Sequence, residues 1–360
     1  MADLMRFMAG LYCRAHAAAT AWPMTQPSIA DRLPLLRRRA LLVRGVRGFF
    51  EARGYLEVET PFAVPTPGEE VHLLAFGTER LAPDGSRQRL FLHTSPEFAM
   101  KRIVAAIGEP VFQLARVWRN GEAGPTHAAE FTMLEWYRPG AGLDGLMDET
   151  EALLRALLPP VVERDGSPCR IDLPFERLTL QDAFARHVGA DLLGTQGDVV
   201  ALAQQAGVQV RWGEDWEDLF FRLLLTHVEP RIGRARPTFL THWPAAQAAL
   251  ARRDPGDPRV ALRFELYAGG LEIANAFDEL TDPVEQRQRF LHDRARRAAL
   301  PRPDGEPRED WPLDEALLDA LRHLPACAGI ALGFDRLVML ATGAVRIGDI
   351  LWLGGDQHGA

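Results

Sequence analysis

The chain has 360 residues, 47% hydrophobic and 25% charged, which is ample for a large core and unlike a disordered chain. A formal net charge of −8 gives no general attraction to nucleic acid. Three scattered cysteines (Cys13, Cys169 and Cys327) argue against a disulfide framework or a zinc site and fit a reducing cytoplasm. No apolar run approaches the roughly 20 residues that span a membrane.

Residues 1–29 read as a tail, disordered or preceding the true start, with Met24 as the candidate initiator. Residues 31–54 read as a helix, because Leu33, Leu36, Ala40, Val43, Val46, Phe49 and Phe50 recur at helical spacing and Gly54 ends it. The run Arg37, Arg38, Arg39, Arg44 and Arg47 on this helix reads as a solvated face. Tyr55 to Glu59 alternates like a strand and stops at Pro61, and residues 71–76 and 89–93 pair around the turn Pro83-Asp84-Gly85. Thr94-Ser95-Pro96-Glu97 starts a helix that runs to about Ile107. Strand 111–118, loop 119–129 and strand 130–137 follow. Residues 144–158, 179–206 and 214–228 are helical, 237–241 and 262–279 are strands, and 283–299 is an Arg-rich helix. After a Pro- and Asp-rich loop (301–312) and a helix (313–323), a strand–helix unit at 329–341 ends the pattern. Helices beside antiparallel strands indicate an α+β fold.

Three segments carry side chains suited to chemistry. On strand 130–137 the residues Phe131, Met133, Glu135 and Tyr137 share a face, with Arg119 and His127 in the adjoining loop. Arginine beside an aromatic suits phosphates and a purine. The segment 263–279 reads as two strands around Gly269-Gly270. There Glu265 and Glu272 approach across the hairpin and suit Mg²⁺, which takes a few carboxylates plus substrate phosphates. The parity of Glu272 differs from that of Asn275, so a bulge is expected if both are to face one way. Gly333-Phe334-Asp335-Arg336 runs from a strand into a helix, where Arg336 and the helix amides suit an anion. Each segment alone also has a plain structural reading: a half-exposed strand, an acidic surface hairpin, or tight strand–helix packing.

Together and in this order, the segments resemble class II aminoacyl-tRNA synthetases. Tyr55 to Pro61 is similar to their first motif, Trp118-Arg119-Asn120 through Phe131 to Tyr137 to the second, and Gly333 to Arg336 to the third. Thr94-Ser95-Pro96-Glu97 and Glu272 to Leu280 resemble the lysyl branch. Phe131 to Arg138 and Gly329 to Leu340 resemble its elongation factor P lysyltransferase family. That family lacks the anticodon-reading barrel, and the 30 residues before the first helix are too few for five strands.

The resemblance implies a class II synthetase catalytic fold over residues 30–355, acting as a homodimeric, ATP-dependent ligase. It implies ATP and Mg²⁺ as cofactors, lysine or (R)-β-lysine as substrate, and a lysine side chain of elongation factor P as acceptor. Neither tRNA nor a membrane is an expected partner. Arg119 would hold the α-phosphate and the substrate carboxylate, with Asn120 and Glu122 beside the nucleotide. His127 would bind the γ-phosphate and Phe131 would stack on adenine. Arg336 would cover the ring's other side and reach the γ-phosphate. Glu265 and Glu272 would coordinate Mg²⁺. Thr94, Ser95 and Glu97 would receive the substrate amino group, and Asn275 its carboxylate side. Glu135, Tyr137 and Glu279 would recognise the ε-ammonium. Ala331, where synthetases usually have glycine, and Gly333 would shape the pocket, tuning it toward β-lysine.

The sequence departs from the family pattern in the second motif. Gly121 stands where synthetases have glutamate, leaving Glu122 to substitute for it. Pro125, Ala128 and Ala129 replace the usual arginine, asparagine and proline. The alternatives are an enzyme with tRNA or another acceptor, and a non-catalytic paralogue.

Overall fold

A computed structural model describes residues 27–300, 302 and 304–353. The expected tail lies almost wholly outside them. Its last residues belong to the first helix, α1 (Ile29–Glu51), which begins on a reciprocal cap between Ser28 and Asp31.

The centre of the molecule is an eight-stranded sheet in the order β1-β5-β6-β13-β12-β11-β10-β9. Its members are β1 (Leu56–Glu57), β5 (Val111–Trp118), β6 (Glu130–Pro139), β9 (Glu176–Thr179), β10 (Thr238–Pro244), β11 (Val260–Ala268), β12 (Leu271–Asp278) and β13 (Cys327–Gly333). The strands from β5 to β10 pair antiparallel, and β1 and β9 add in parallel at the edges. This is the α+β architecture expected.

Alternation decides what each face does. Leu134 and Trp136 of β6, Ile330 and Leu332 of β13, Ala276 of β12, and Phe264 and Leu266 of β11 bury against a helical layer. Helix α1, helix α3 (Leu143–Leu157) and helix α9 (Phe334–Thr342) supply Val46, Phe50, Leu153 and Leu337 to that core. Burying one such large side chain contributes about 1.5–3 kcal/mol, so this layer holds the sheet rigid. The odd-numbered residues of β6, β13 and β11 therefore face the other way. They are partly covered by helix α2 (Glu97–Ile107), helix α7 (Pro283–Ala299) and helix α8 (Glu315–Ala320), through Met100, Val104, Phe290 and Leu317. A second cluster packs helices α4 (Leu180–His187), α5 (Val199–Ala206) and α6 (Trp216–Leu223) beside β9 and β10.

Several expectations shift. The strand pair is β3 (Phe76–Leu81) with β4 (Arg87–Leu92), not 71–76 with 89–93. Residues 71–73 are not laddered, because Arg308 Nη1 takes the carbonyls of Val71, His72 and Leu73. The helix read over 179–206 is two helices. Gly189 and Gly197 take the left-handed conformation between them (φ 81° and 82°), and Asp198 caps the second. The Arg-rich face of α1 is not wholly solvated: Arg39 is buried against Asp335, and Arg38 donates to the Leu157 carbonyl. Strands β7 (Val161–Arg164), β8 (Ser167–Arg170) and β9 fall in a segment that carried no assignment.

Candidate active site

The three segments with side chains suited to chemistry, 119–137, 263–279 and 333–336, meet on the sheet face opposite α1. In register, Gln113, Glu135, Ala331, Asn275 and Glu265 form one row across β5, β6, β13, β12 and β11. The bulge expected in β12 is present. Leu266 pairs with Ala274 but Tyr267 pairs with Glu272, so one extra residue brings Glu272 to the side of Asn275.

At one end of this face stands a cluster of cations and aromatics. The Arg119 guanidinium lies 5.3 Å from the Phe131 ring centre, and its Nε donates to the Thr94 carbonyl at 3.4 Å. Arg336 donates through Nη1 to the Glu272 carbonyl at 2.8 Å and to its carboxylate at 3.3 Å. Its Nη2 lies 2.6 Å from His127 Nε2. Glu122 sits 3.8 Å from Arg119 and also feels Arg336 and Glu272; burial holds its pKa above the usual carboxylate range. Gly121 beside it occupies a left-handed position (φ 79°) that a glutamate would strain. Asp335 holds this end in place: it takes the Thr132 amide at 2.9 Å and pairs with buried Arg39.

Next to it is an acidic group. Glu265 accepts from Tyr267 at 2.6 Å and pairs with Arg263. Glu229 accepts from the same hydroxyl at 3.1 Å. Burial, then repulsion from Glu265 and Glu272, raises Glu229 to about 8. Burial raises Glu265 to about 7, with Glu272 adding to it against the pull of Arg263. Among the described residues, no group of three or more His, Cys, Asp or Glu is close enough to hold a metal by itself. Glu265 and Glu272, two carboxylates that repel each other, nevertheless fit Mg²⁺, whose remaining ligands would be phosphates and water.

The third group is a buried acidic cluster around Lys101. Glu135, Tyr137 and Glu279 are all buried. Glu135 accepts from Ser95 and, at 3.3 Å, from Tyr137. Burial raises both Glu135 and Glu279 to about 8. Glu97 and Glu279 each lie 2.6 Å from the ammonium of Lys101. Oε1 of Glu279 is buried with no hydrogen-bond partner among the described residues. Ser95 and Glu97 also line a solvent-open hollow of about 710 Å³ that Glu70 and Thr66 share.

The structure brings together Arg119, Glu122, His127, Phe131, Glu265, Glu272 and Arg336 around one part of the face, and Ser95, Glu97, Glu135, Tyr137 and Glu279 around the other. Ala331 lies between Glu135 and Asn275. Three more of the expected residues have polar partners or surroundings of their own. Thr94 spends its hydroxyl on the Pro67 carbonyl at 2.9 Å. Asn120 lines a separate hollow with Arg297, Arg308 and Trp311. Asn275 accepts from Arg263 at 3.0 Å. Lys101, Glu229, Arg263 and Asp335 were not singled out as site residues. Lys101 had a signal, since it follows Glu97 by one helical turn on an otherwise apolar face. Glu229 had none beyond preceding a proline.

Comparison with known proteins agrees with this geometry. Residues 30–357 match the family model of class II tRNA synthetases (D, K and N). The elongation factor P–(R)-β-lysine ligase of Salmonella arizonae is 44% identical over 331 residues, covering 91% of this chain and 96% of that protein. The ligase of the same name from Salmonella paratyphi B is 44% identical over 333 residues, with the same coverage. The chain therefore belongs to the class II tRNA synthetase family, in the branch of the elongation factor P–(R)-β-lysine ligases.

Proposed function

We propose that this protein is an ATP-dependent ligase that activates (R)-β-lysine, or lysine, as the aminoacyl-adenylate and passes it to a lysine side chain of elongation factor P. The observation that carries the reading is the buried acidic cluster of Glu97, Glu135 and Glu279, on the same sheet face as Arg119, Arg336 and His127. A substrate with a carboxylate and a nearby ammonium facing ATP, and a second ammonium at its far end, matches that layout. The names of the relatives point to the same substrate and acceptor.

The chemistry needs no covalent enzyme intermediate. A substrate carboxylate oxygen attacks the α-phosphorus of ATP, a phosphoanhydride bond breaks, and pyrophosphate leaves. The acceptor amine then attacks the carbonyl carbon, AMP leaves with the electron pair, and the amine gives up a proton. In this reading Arg119 orients the carboxylate and the α-phosphate, and Phe131 offers its ring to adenine. Arg336 and His127 meet the terminal phosphate. Orientation and fixed positive charge supply most of such a rate enhancement. Glu265 and Glu272 would hold Mg²⁺, which when bound neutralises phosphate charge.

The same reading takes residues 30–355 as one catalytic domain working in the cytoplasm as a homodimer. Exposed Leu56 and Phe62, at the two ends of the first motif, are apolar surface that a partner copy would cover. No described helix is long and apolar enough to cross a membrane. The acceptor is a protein and not tRNA.

The test is intact-mass analysis of elongation factor P after incubation with the enzyme, ATP, Mg²⁺ and either lysine isomer. A gain of one lysyl group is expected. No gain, with acylation of tRNA(Lys) instead, would reverse the acceptor.

A further inference from the structure

Lys101 is 2% exposed, yet it carries an ammonium into the middle of the amine-recognition cluster. Its helix neighbours Met100 and Val104 sit in an apolar cluster, so Lys101 and Glu97 are the charged members of a buried face. Burial alone would drive its proton off. The carboxylates of Glu279 and Glu97 outweigh that effect and hold its pKa above the ordinary lysine value. No amine that depends on this site for recognition is needed to keep it charged.

We propose that Lys101 is a specificity-determining positioning residue: an internal counter-cation that bridges Glu97 and Glu279 and sets the net charge of the amine site, once its carboxylates are ionised, to two negatives, one for each ammonium of a diamino-acid substrate. This rests on the substrate class proposed above. The charge count is direct. Glu97, Glu135 and Glu279 supply three negatives when ionised, and Lys101 supplies one positive. Three carboxylates this close do not all stay ionised without compensation, because each raises the others. Without Lys101 these carboxylates would hold their protons to still higher pH, and an incoming ammonium would have to displace them.

Lys101 also ties together residues serving opposite ends of the substrate: Glu97 for the amino group near the carboxylate, and Glu279 for the distal ammonium. Other groups face the cluster. Glu135 and Tyr137 come from β6, Asp278 from the end of β12, and Cys327 from β13. Asp278 is turned to Arg252 at 2.8 Å, Cys327 is neutral with its thiol pKa raised, and Tyr137 is held protonated by burial. Glu70 adjoins Glu97 and is drawn to Arg119. Lys101 is therefore the cation in contact with these carboxylates.

The test is calorimetric binding of 1,5-diaminopentane as a function of pH, alongside pyrophosphate exchange with (R)-β-lysine, for the wild type and for Lys101→Met. Met keeps the unbranched shape and removes the charge. At pH 7, Lys101→Met should weaken the diamine and raise the KM for (R)-β-lysine about tenfold or more, with the KM for ATP within about twofold, since only one charge-assisted site is touched. The pH midpoint at which diamine affinity levels off should move up by about one unit or more, because the remaining carboxylates lose their neighbouring cation.

Lys101→Arg keeps the charge and changes the shape, so its midpoint should stay within about half a unit of the wild type. Three outcomes overturn the proposal: an unmoved midpoint in Lys101→Met, equal losses toward diamine and ATP, or an upward shift in Lys101→Arg. Should Lys101→Met not fold, the Lys101→Arg midpoint decides alone. Failure to bind the diamine in the wild type also overturns it. Wild-type diamine binding without activation of either lysine isomer would instead sink the substrate reading and leave the Lys101 measurement intact.

Discussion

Nη2 of Arg336 lies 2.6 Å from Nε2 of His127, although the two residues are 209 positions apart. Arginine has only donors, so Nε2 of His127 must accept, and Nδ1 carries the proton toward the Thr126 hydroxyl at 3.2 Å. The contact points Arg336 along the loop that carries His127, where a terminal phosphate would lie.

Replacing Arg336 with alanine should therefore abolish adenylation. We expect pyrophosphate exchange to fall by about two orders of magnitude or more, the scale of losing a charge that stabilises the transition state. Circular dichroism should be unchanged, because the guanidinium serves no core contact. Exchange within threefold of the wild type would remove Arg336 from the reaction.

Glu279 should act on the amino acid and not on the nucleotide. Glu279→Gln keeps the shape but removes the charge, so KM for the lysine substrate should rise about tenfold or more while KM for ATP holds. A shape test is available next door. A Cβ at Gly329 would meet Tyr137 Cε1 at 2.3 Å and Glu279 Oε1 at 2.4 Å, so both would have to move. Gly329→Ala should show the same selective loss. If either substitution raises both KM values equally, the cluster is not the amine pocket.

The raised carboxylates predict opposite pH trends for binding and for stability. Burial puts Glu135 and Glu279 at about 8. Below that they carry protons and attract ammonium less, so KM for the lysine substrate should fall as pH rises from 6 to 8. For folding the sign reverses. Their folded pKa lies above the unfolded value near 4.3, so the stability they add is full below about 4 and lost as pH rises through 8. The free protein's Tm should drop between pH 6 and 8, and saturating (R)-β-lysine should flatten the drop. A flat KM profile over that range would mean that these carboxyls do not bind the ammonium.

Arg39 and Asp335 form a buried pair that anchors the strand–helix corner beneath Arg336. Breaking such a pair from one side leaves an uncompensated charge and typically costs about 3–5 kcal/mol. Arg39→Met should lower the urea midpoint accordingly. A midpoint within error of the wild type would show that Asp335 is held by the Thr132 amide alone.

Glu265 and Glu272 should govern the metal requirement. With Glu265→Gln, half-maximal exchange should need about tenfold more Mg²⁺, since one of two carboxylates is lost. A Mg²⁺ titration overlying the wild type would assign the cation elsewhere.

Much of this was written locally along the chain. Alternation on strands 111–118 and 130–137 declared which residues share a face, and the parity of Glu272 required a bulge only if it was to face the same way as Asn275, which the folded hairpin decided. The ordered motifs placed Arg119, Phe131, Glu265 and Arg336 in one family, because each depends on neighbours within a few residues. What lay beyond that reach came only from the tertiary structure. Residues 71–73 alternate like a strand, yet their carbonyls belong to Arg308, more than 230 positions away. Arg39 looked solvated because its partner, Asp335, is 296 positions distant. Lys101 reads as an ordinary helix lysine until β6 and β12 bring Glu135 and Glu279 to it. Hydrogen-bond periodicity is set by adjacent residues and so is legible in order. The compensation of a buried charge is set by whichever groups the packed sheet delivers to the same few ångströms, and only the folded chain decides that.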